Sequence, residues 1–129
     1  MVEKDVIRTD KAPGPFQGAP YNQAIRVGDL VFVAGQLGIS LETGALAGAG
    51  VAEQTEQIMK NMGAILEAAG SGLDNLVKTT VFLMDLADFG AMNEVYAQHV
   101  GDRPPARSTV QISGLPSGAL VEIEAVAHL

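Results

Sequence analysis

The chain has 129 residues, 47% of them hydrophobic, and its 15 acidic and 8 basic side chains give a formal net charge of −7. A chain of this length buries roughly two thirds of its unfolded surface, so we expect one domain spanning residues 1–129. The negative charge has no basic cluster within it, which argues against nucleic-acid binding because phosphates would be repelled. The absence of cysteine excludes disulfides, thiolate catalysis and cysteine metal sites.

The sequence gives no signal for a membrane or a metal as a partner. No apolar run approaches the roughly 18 residues that a membrane-spanning helix requires. The charged start at Glu3, Lys4 and Asp5 is unlike a signal peptide. His99 and His128 have no further ligand at metal spacing. We therefore expect a cytoplasmic protein without a metal site.

Short strands follow a proline-rich arm in the first third of the chain. Residues 11–20 contain three prolines and two glycines, which is typical of an extended or turning segment. Asn22–Val27 and Leu30–Ala34 have the composition of strands. Because Gly28 and Asp29 are a two-residue turn signal, the two strands are predicted to form a hairpin.

Two helices and a buried strand are predicted next. Apolar residues recur at helical spacing over Val51–Ala69, and Gly70 is placed to end this helix. Leu76–Met84 is β-branched and apolar, as expected of a largely buried strand. Asp85 and Asp88 are candidate caps for a second helix, which the proline-containing loop 101–105 ends.

Two further apolar runs flank the turn Ser113–Gly118 near the end of the chain. Strand periodicity places Arg107 and Thr109 on one face of the first run, and Glu122 and Glu124 on one face of the second. If the runs form a hairpin, Arg107 lies opposite the region of Glu124, and Thr109 lies opposite the region of Glu122. This interpretation predicts one guanidinium beside two carboxylates.

The resulting order, β-β-α-β-α-β-β, indicates an α+β fold with a mixed β-sheet and two helices on one face. The strands supply more apolar surface than two helices can readily cover, and monomers seldom expose large apolar patches. We therefore expect a homo-oligomer with closed symmetry. The strand residues concerned are Val81 or Phe82, Val110, Ile112, Val121 and Ile123.

The spacing leaves two interpretations of these charged residues open. Arg107 is either a surface arginine paired with Glu122 or Glu124, or a half-buried group that binds a ligand carboxylate. The glutamates form either a solvated strand face or a site that orients or deprotonates water. Tyr21 is typical of a packing aromatic, whereas Asn93 is unfavourable inside a helix and indicates a tertiary role.

Several segments together resemble the RidA (YjgF) family in order and spacing over about residues 3 to 128. They are Pro20–Ala24, Val33–Gln36, Lys60–Met62, Val77–Val81, Asp88–Phe89 with Asn93 and Tyr96, Pro105–Ser108 and Val121–Ala127. The resemblance implies a chorismate-mutase-like fold and a homotrimer whose sheets line a central barrel, with sites in the clefts between subunits. It also implies a hydrolase that deaminates reactive enamine and imine acids, such as 2-aminoacrylate and 2-iminobutanoate, to 2-oxo acids and ammonia without a cofactor.

The resemblance assigns roles to individual residues. Arg107 would clamp the substrate carboxylate, and Glu122 would hold or activate the attacking water. Tyr21 would approach from a neighbouring subunit. Asn93 would support the pocket, and the Gly35 backbone would face the ligand.

This chain also departs from the family pattern. Thr109 stands where many members have cysteine, and it would contact the ligand through its backbone. Ala34 stands where a serine is common. The arm before Tyr21 is longer, and the loop before Pro104 is shorter than in some members. An alternative of a different class is a non-catalytic module that binds small carboxylates or a partner. An endoribonuclease is disfavoured by the acidic balance.

Overall fold

The computed structural model describes residues 2–129, which form one six-stranded mixed sheet with two α-helices on one face. The α+β prediction is confirmed, with one more strand at the start than expected. The elements are β1 (Lys4–Ile7), β2 (Ala24–Val27), β3 (Leu30–Leu37), α1 (Val51–Ala68), β4 (Leu76–Leu83), α2 (Phe89–Val100), β5 (Ala106–Gln111) and β6 (Val121–His128). The short β1 is largely exposed, so it lacks the apolar alternation by which a strand is recognised.

Local signals set the first hairpin and both helices. β2 and β3 pair through Val27 and Leu30, and Gly28 has the positive φ of 58° that the tight turn requires. α1 ends before Gly70, whose φ of 84° no side chain readily adopts. Asp85 caps the short 3-10 turn before α2, where its carboxylate accepts a hydrogen bond from the Ala87 N–H. Within residues 2–129, no helix has the length and apolarity to cross a bilayer.

The predicted hairpin between the last two strands is wrong. The strand order is β1-β2-β3-β6-β4-β5, so β4 lies between β5 and β6. Thr79 of β4 pairs with Arg107 in parallel and with Ala125 in antiparallel orientation. Because β4 is strongly apolar, the sheet buries more surface with this strand inside than at an edge.

The two faces of the sheet differ in how they are covered. α1 packs on β3 and β6, and the core beneath the helices includes Val81, Val121 and Ile123. Side chains alternate along a strand, so Phe32 and Val110 point to the other face, where they are 46% and 42% exposed. The prediction of uncovered apolar strand surface holds for Val110, but it is wrong for Val121 and Ile123, which the helices cover completely.

Candidate active site

Glu122 lines a cavity of about 490 Å³. Tyr21, Gly35 and Ser117 also line this cavity. β6 positions Glu122 opposite Leu37 of β3, so the carboxylate projects from the face that the helices leave uncovered. The structure therefore brings together three of the predicted site residues, Tyr21, Gly35 and Glu122.

Gly35 leaves room for the Glu122 carboxyl group. The register of β3 against β6 shifts between Val33 and Gln36, as in a β-bulge, which turns the Gly35 backbone towards the cavity. A Cβ atom at residue 35 would lie 2.8 Å from the Glu122 Cδ and 3.1 Å from each carboxylate oxygen. Glycine is therefore needed here for close approach of the carboxylate to the backbone.

Burial raises the pKa of Glu122, and the negative charge of Glu124 raises it further. An arginine beside Glu122, as the predicted hairpin would place it, lowers the pKa of that carboxyl group. The Arg107 guanidinium is not beside Glu122 within the chain, so this effect is absent there. A carboxylate with a raised pKa is a better proton acceptor near neutral pH than an ordinary one. Glu122 is thus suited to accept a proton from water.

Tyr21 is held by the arm that precedes β2. Its hydroxyl accepts a hydrogen bond of 2.6 Å from the Phe16 backbone N–H. The buried Gln23 side chain anchors the arm, because its Nε2 donates to the carbonyls of Thr9, Ala12 and Pro13 at 3.1, 3.1 and 2.9 Å. Sequence spacing does not identify Gln23 or Phe16 as site residues, because hydrogen bonds between a side chain and a loop backbone follow no fixed spacing in the sequence.

Arg107 packs on the opposite, helix-covered face against two aromatic rings. Its guanidinium lies 5.4 Å from the centre of the Phe89 ring and 4.9 Å from that of Tyr96. The Tyr96 hydroxyl shares a 2.6 Å hydrogen bond with Thr79. Burial raises the pKa of Tyr96, although the bond to Thr79 and the charge of Arg107 both lower it. The ring therefore stays neutral beside the guanidinium.

Arg107 forms no salt bridge within residues 2–129, so of the two interpretations left open, the one that pairs it with Glu122 or Glu124 is wrong. Within residues 2–129, the Asn93 Oδ1 and Thr109 Oγ1 atoms are buried and have no hydrogen-bond partner. Buried polar atoms usually have partners. Thr109 lies two residues after Arg107 on the same face of β5, so its unpartnered oxygen is on the side of the sheet that carries the half-buried guanidinium.

The predicted site residues thus form two half-sites. The carboxylate half-site contains Tyr21, Gly35 and Glu122, and the guanidinium half-site contains Arg107 with its neighbours on β5 and α2. Arg107 pairs with Thr79 of β4, whereas Glu122 pairs with Phe82 of the same strand. Because residues 79 and 82 point to opposite faces of the sheet, the two half-sites lie on opposite faces. The expectation that Glu122 and Arg107 meet within one chain is therefore wrong, and Glu122 shares its cavity with Tyr21 instead.

These residues suit recognition of a small organic acid and activation of water. The described residues, 2–129, contain no group of three or more histidine, aspartate or glutamate side chains that could hold a metal ion. The fold and the half-sites define an α+β protein with a cavity that contains the Glu122 carboxylate and, separately, a half-buried arginine stacked on two aromatic rings. The chain belongs to the family described as Endoribonuclease L-PSP, whose model matches residues 9–129.

Relatives and solved structures are similar over nearly the whole chain. A RutC family protein of Pyrococcus abyssi is 50% identical over 125 residues, which cover 97% of each chain. The human 2-iminobutanoate/2-iminopropanoate deaminase is 48% identical over 122 residues, covering 95% of this chain and 88% of that protein. The crystal structure of RidA from a Psychrobacter species has a TM-score of 0.91 at 43% identity, covering 97% and 99%. The resemblance to the RidA family is confirmed.

Proposed function

We propose that this protein hydrolyses small 2-imino acids, and their enamine tautomers, to 2-oxo acids and ammonia. The observation that supports this most is the environment of Glu122. Its carboxyl group has a raised pKa, faces the cavity and lies against the Gly35 backbone. Relatives at 44–48% identity named 2-iminobutanoate/2-iminopropanoate deaminase support the same reaction. The substrate and its 2-oxo acid product are then the small-molecule partners, and no cofactor enters the scheme.

The chemistry requires one positioned water molecule. Glu122 accepts a proton as the water oxygen bonds to the imine carbon. The carbon attacked is that of the protonated imine, so a neutral carbinolamine forms. Its nitrogen takes the proton back from Glu122, the C–N bond breaks to release ammonia, and the hydroxyl proton passes to the Glu122 carboxylate as the carbonyl double bond forms. Holding water and substrate together recovers much of the entropy cost of this step. The hydroxyl of Tyr21, oriented by the Phe16 N–H, is placed to donate to substrate at the same cavity.

We assign the substrate carboxylate to Arg107, assisted by Asn93 and Thr109, whose buried oxygen atoms lack partners. An arginine stacked on aromatic rings is held in place for a bidentate contact. Since the half-sites occupy opposite faces of one chain, a complete site needs the guanidinium half-site of one subunit beside the carboxylate half-site of another. We infer a homotrimer, as the family resemblance implies, with the uncovered sheet face turned inward.

A coupled assay tests the reaction. Purified threonine dehydratase supplies 2-iminobutanoate, and the rate at which the imine disappears is followed with and without this protein. We expect faster loss with the parent and little acceleration with Glu122→Gln or Arg107→Ala. The matched controls are Glu124→Gln, from the same strand and face, and Arg103→Ala, from the exposed loop before β5. Both should retain most activity.

The outcome separates catalysis from simple binding. Parent protein that binds 2-oxobutanoate in calorimetry but does not hasten imine loss would make this a non-catalytic carboxylate-binding module. Equal activity of Arg107→Ala and parent would remove the assignment of the carboxylate to that arginine.

Subunit mixing tests the shared site. Two inactive variants, Arg107→Ala and Glu122→Gln, are unfolded together and refolded as mixed oligomers. If each site takes arginine from one subunit and glutamate from another, random assembly restores about a quarter of the parent sites. Sedimentation should show three chains per particle. A mixture without regained activity, from variants that refold separately to trimers, would contradict a site shared between subunits.

A further inference from the structure

The arm Gly14–Ala19 forms one wall of the Glu122 cavity. Pro15, Phe16 and Gln17 of this arm line it, and Phe16 is 38% exposed. The arm contributes none of the groups that are proposed to react. It is therefore available to distinguish substrates without altering those groups.

The arm has a defined conformation. Gln17 has a φ of 52° and a ψ of 30°, a left-handed conformation that is uncommon for residues other than glycine. The Phe16 N–H bonds the Tyr21 hydroxyl, and the Gln23 side chain holds the carbonyls at the start of the arm. Local strain persists where surrounding contacts hold it. Phe16 is thus presented at the cavity by a fixed backbone.

A second loop adds apolar surface to the same cavity. Ile39 and Leu41, which follow β3, both line it, and Leu41 is 52% exposed. A bridge between Ile39 and Leu46 fixes this loop, as does a 3.0 Å hydrogen bond from the Asn61 Nδ2 to the Ile39 carbonyl. The cavity therefore has an apolar part built from two anchored loops, in addition to the polar part at Glu122 and Gly35.

The cavity is larger than the smallest imino acids need. Its volume of about 490 Å³ falls within the range of roughly 300–1,000 Å³ that accommodates drug-sized ligands. A molecule as small as 2-iminobutanoate, attacked beside Glu122, does not fill this volume of one chain, and the apolar loops remain available to a larger side chain beside the subunit that brings Arg107. Apolar surface exposed inside a binding cavity is stabilised when an apolar group of the ligand covers it.

Resting on the proposed function, we propose that the arm and the loop after β3 form a subsite for the substrate side chain. Phe16 is its specificity-determining residue. The preferred substrates are then 2-imino acids with branched aliphatic or aromatic side chains, such as those derived from leucine and phenylalanine. The reacting atoms, the attacking water and the released ammonia are the same as for smaller imines.

The test compares imines generated in place by an amino-acid oxidase from leucine and from alanine. For the parent, we expect kcat/KM to be at least about tenfold higher for the leucine imine, given the worth of added methylenes in an apolar pocket. Phe16→Ala should lower kcat/KM for the leucine imine about tenfold and that for the alanine imine less than about twofold. Phe16→Leu should retain most of the preference.

Two further variants complete the design. Leu41→Ala, on the other wall, should act in the same direction as Phe16→Ala. Leu86→Ala, which changes an exposed apolar residue in the 3-10 turn before α2 and outside the cavity, is the matched control and should change neither substrate. Circular dichroism confirms that each variant is folded. If the parent hydrolyses both imines equally well, or if Phe16→Ala slows both equally, the subsite is refuted while the deaminase function stands.

A binding measurement keeps the two proposals separate. Should the parent hydrolyse no imine, the proposed function fails, and calorimetry with 4-methyl-2-oxopentanoate and pyruvate tests the subsite directly. Tighter binding of the larger acid, lost in Phe16→Ala, would support the subsite. Equal binding of the two acids, or a preference unchanged in Phe16→Ala, would overturn it.

Discussion

Replacing Gly35 with alanine tests whether the position of the Glu122 carboxylate controls the reaction. The new Cβ would lie 2.8 Å from the Glu122 Cδ, whereas ordinary van der Waals contact begins at 3.4 Å. The carboxyl group must therefore withdraw by about 0.6 Å or the backbone must shift by a similar amount. A misplacement of about 1 Å costs on the order of 100-fold in rate. We expect Gly35→Ala to lower kcat roughly 30- to 100-fold, on the same scale.

The assay is hydrolysis of 2-iminobutanoate in the coupled system, with kcat and KM measured separately. KM should change much less than kcat because the substrate carboxylate is assigned to Arg107. Gly72→Ala is the control: its backbone is extended, with a φ of −175°, and a Cβ there meets nothing within 4 Å. This variant should match the parent.

A double-mutant cycle identifies the route of the effect. If Gly35→Ala acts by moving the Glu122 carboxylate, it should cost little further activity in a Glu122→Gln background. A Gly35→Ala variant with the kcat of the parent would refute the idea that the new Cβ atom displaces the carboxylate. So would an equal loss of kcat in the parent and Glu122→Gln backgrounds.

Three other changes have defined outcomes. Arg107→Ala should lower kcat/KM because it removes roughly 2–5 kcal/mol of transition-state binding. Arg107→Lys should restore little of this activity because lysine lacks the planar fork of the guanidinium. Glu124→Gln removes a like charge and lowers the pKa of Glu122, so the acidic limb of the kcat/KM profile should move to lower pH. Tyr96→Phe leaves the Thr79 hydroxyl unpaired and should cost about 1–3 kcal/mol in denaturant unfolding, with kcat/KM little changed.

Each of these outcomes has a result that would contradict it. Full activity of Arg107→Lys would indicate that only positive charge is needed. An acidic limb unmoved in Glu124→Gln would mean that a group other than Glu122 titrates. A Tyr96→Phe variant as stable as the parent would show that the buried hydroxyl pair contributes nothing net to folding.

Local signals in the sequence determined most of the elements and the chemistry available to them. Gly28 and Asp29 fixed a hairpin because glycine accepts the positive φ of the turn, and Gly70 ended α1 for the same reason. Alternation along the last strand placed Glu122 and Glu124 on one face, as observed. The resemblance around Arg107 implies an arginine that binds a carboxylate, and this role stays a prediction.

Only the tertiary structure decided which residues share a site. The insertion of β4 between β5 and β6 separated Arg107 from Glu122, and the bulge in β3 placed Gly35 under the carboxylate. The raised pKa of Glu122 follows from burial, which depends on loops distant in sequence. Periodicity records which face of its own strand a residue occupies, but the neighbouring strand is chosen by the apolar area buried across the whole sheet.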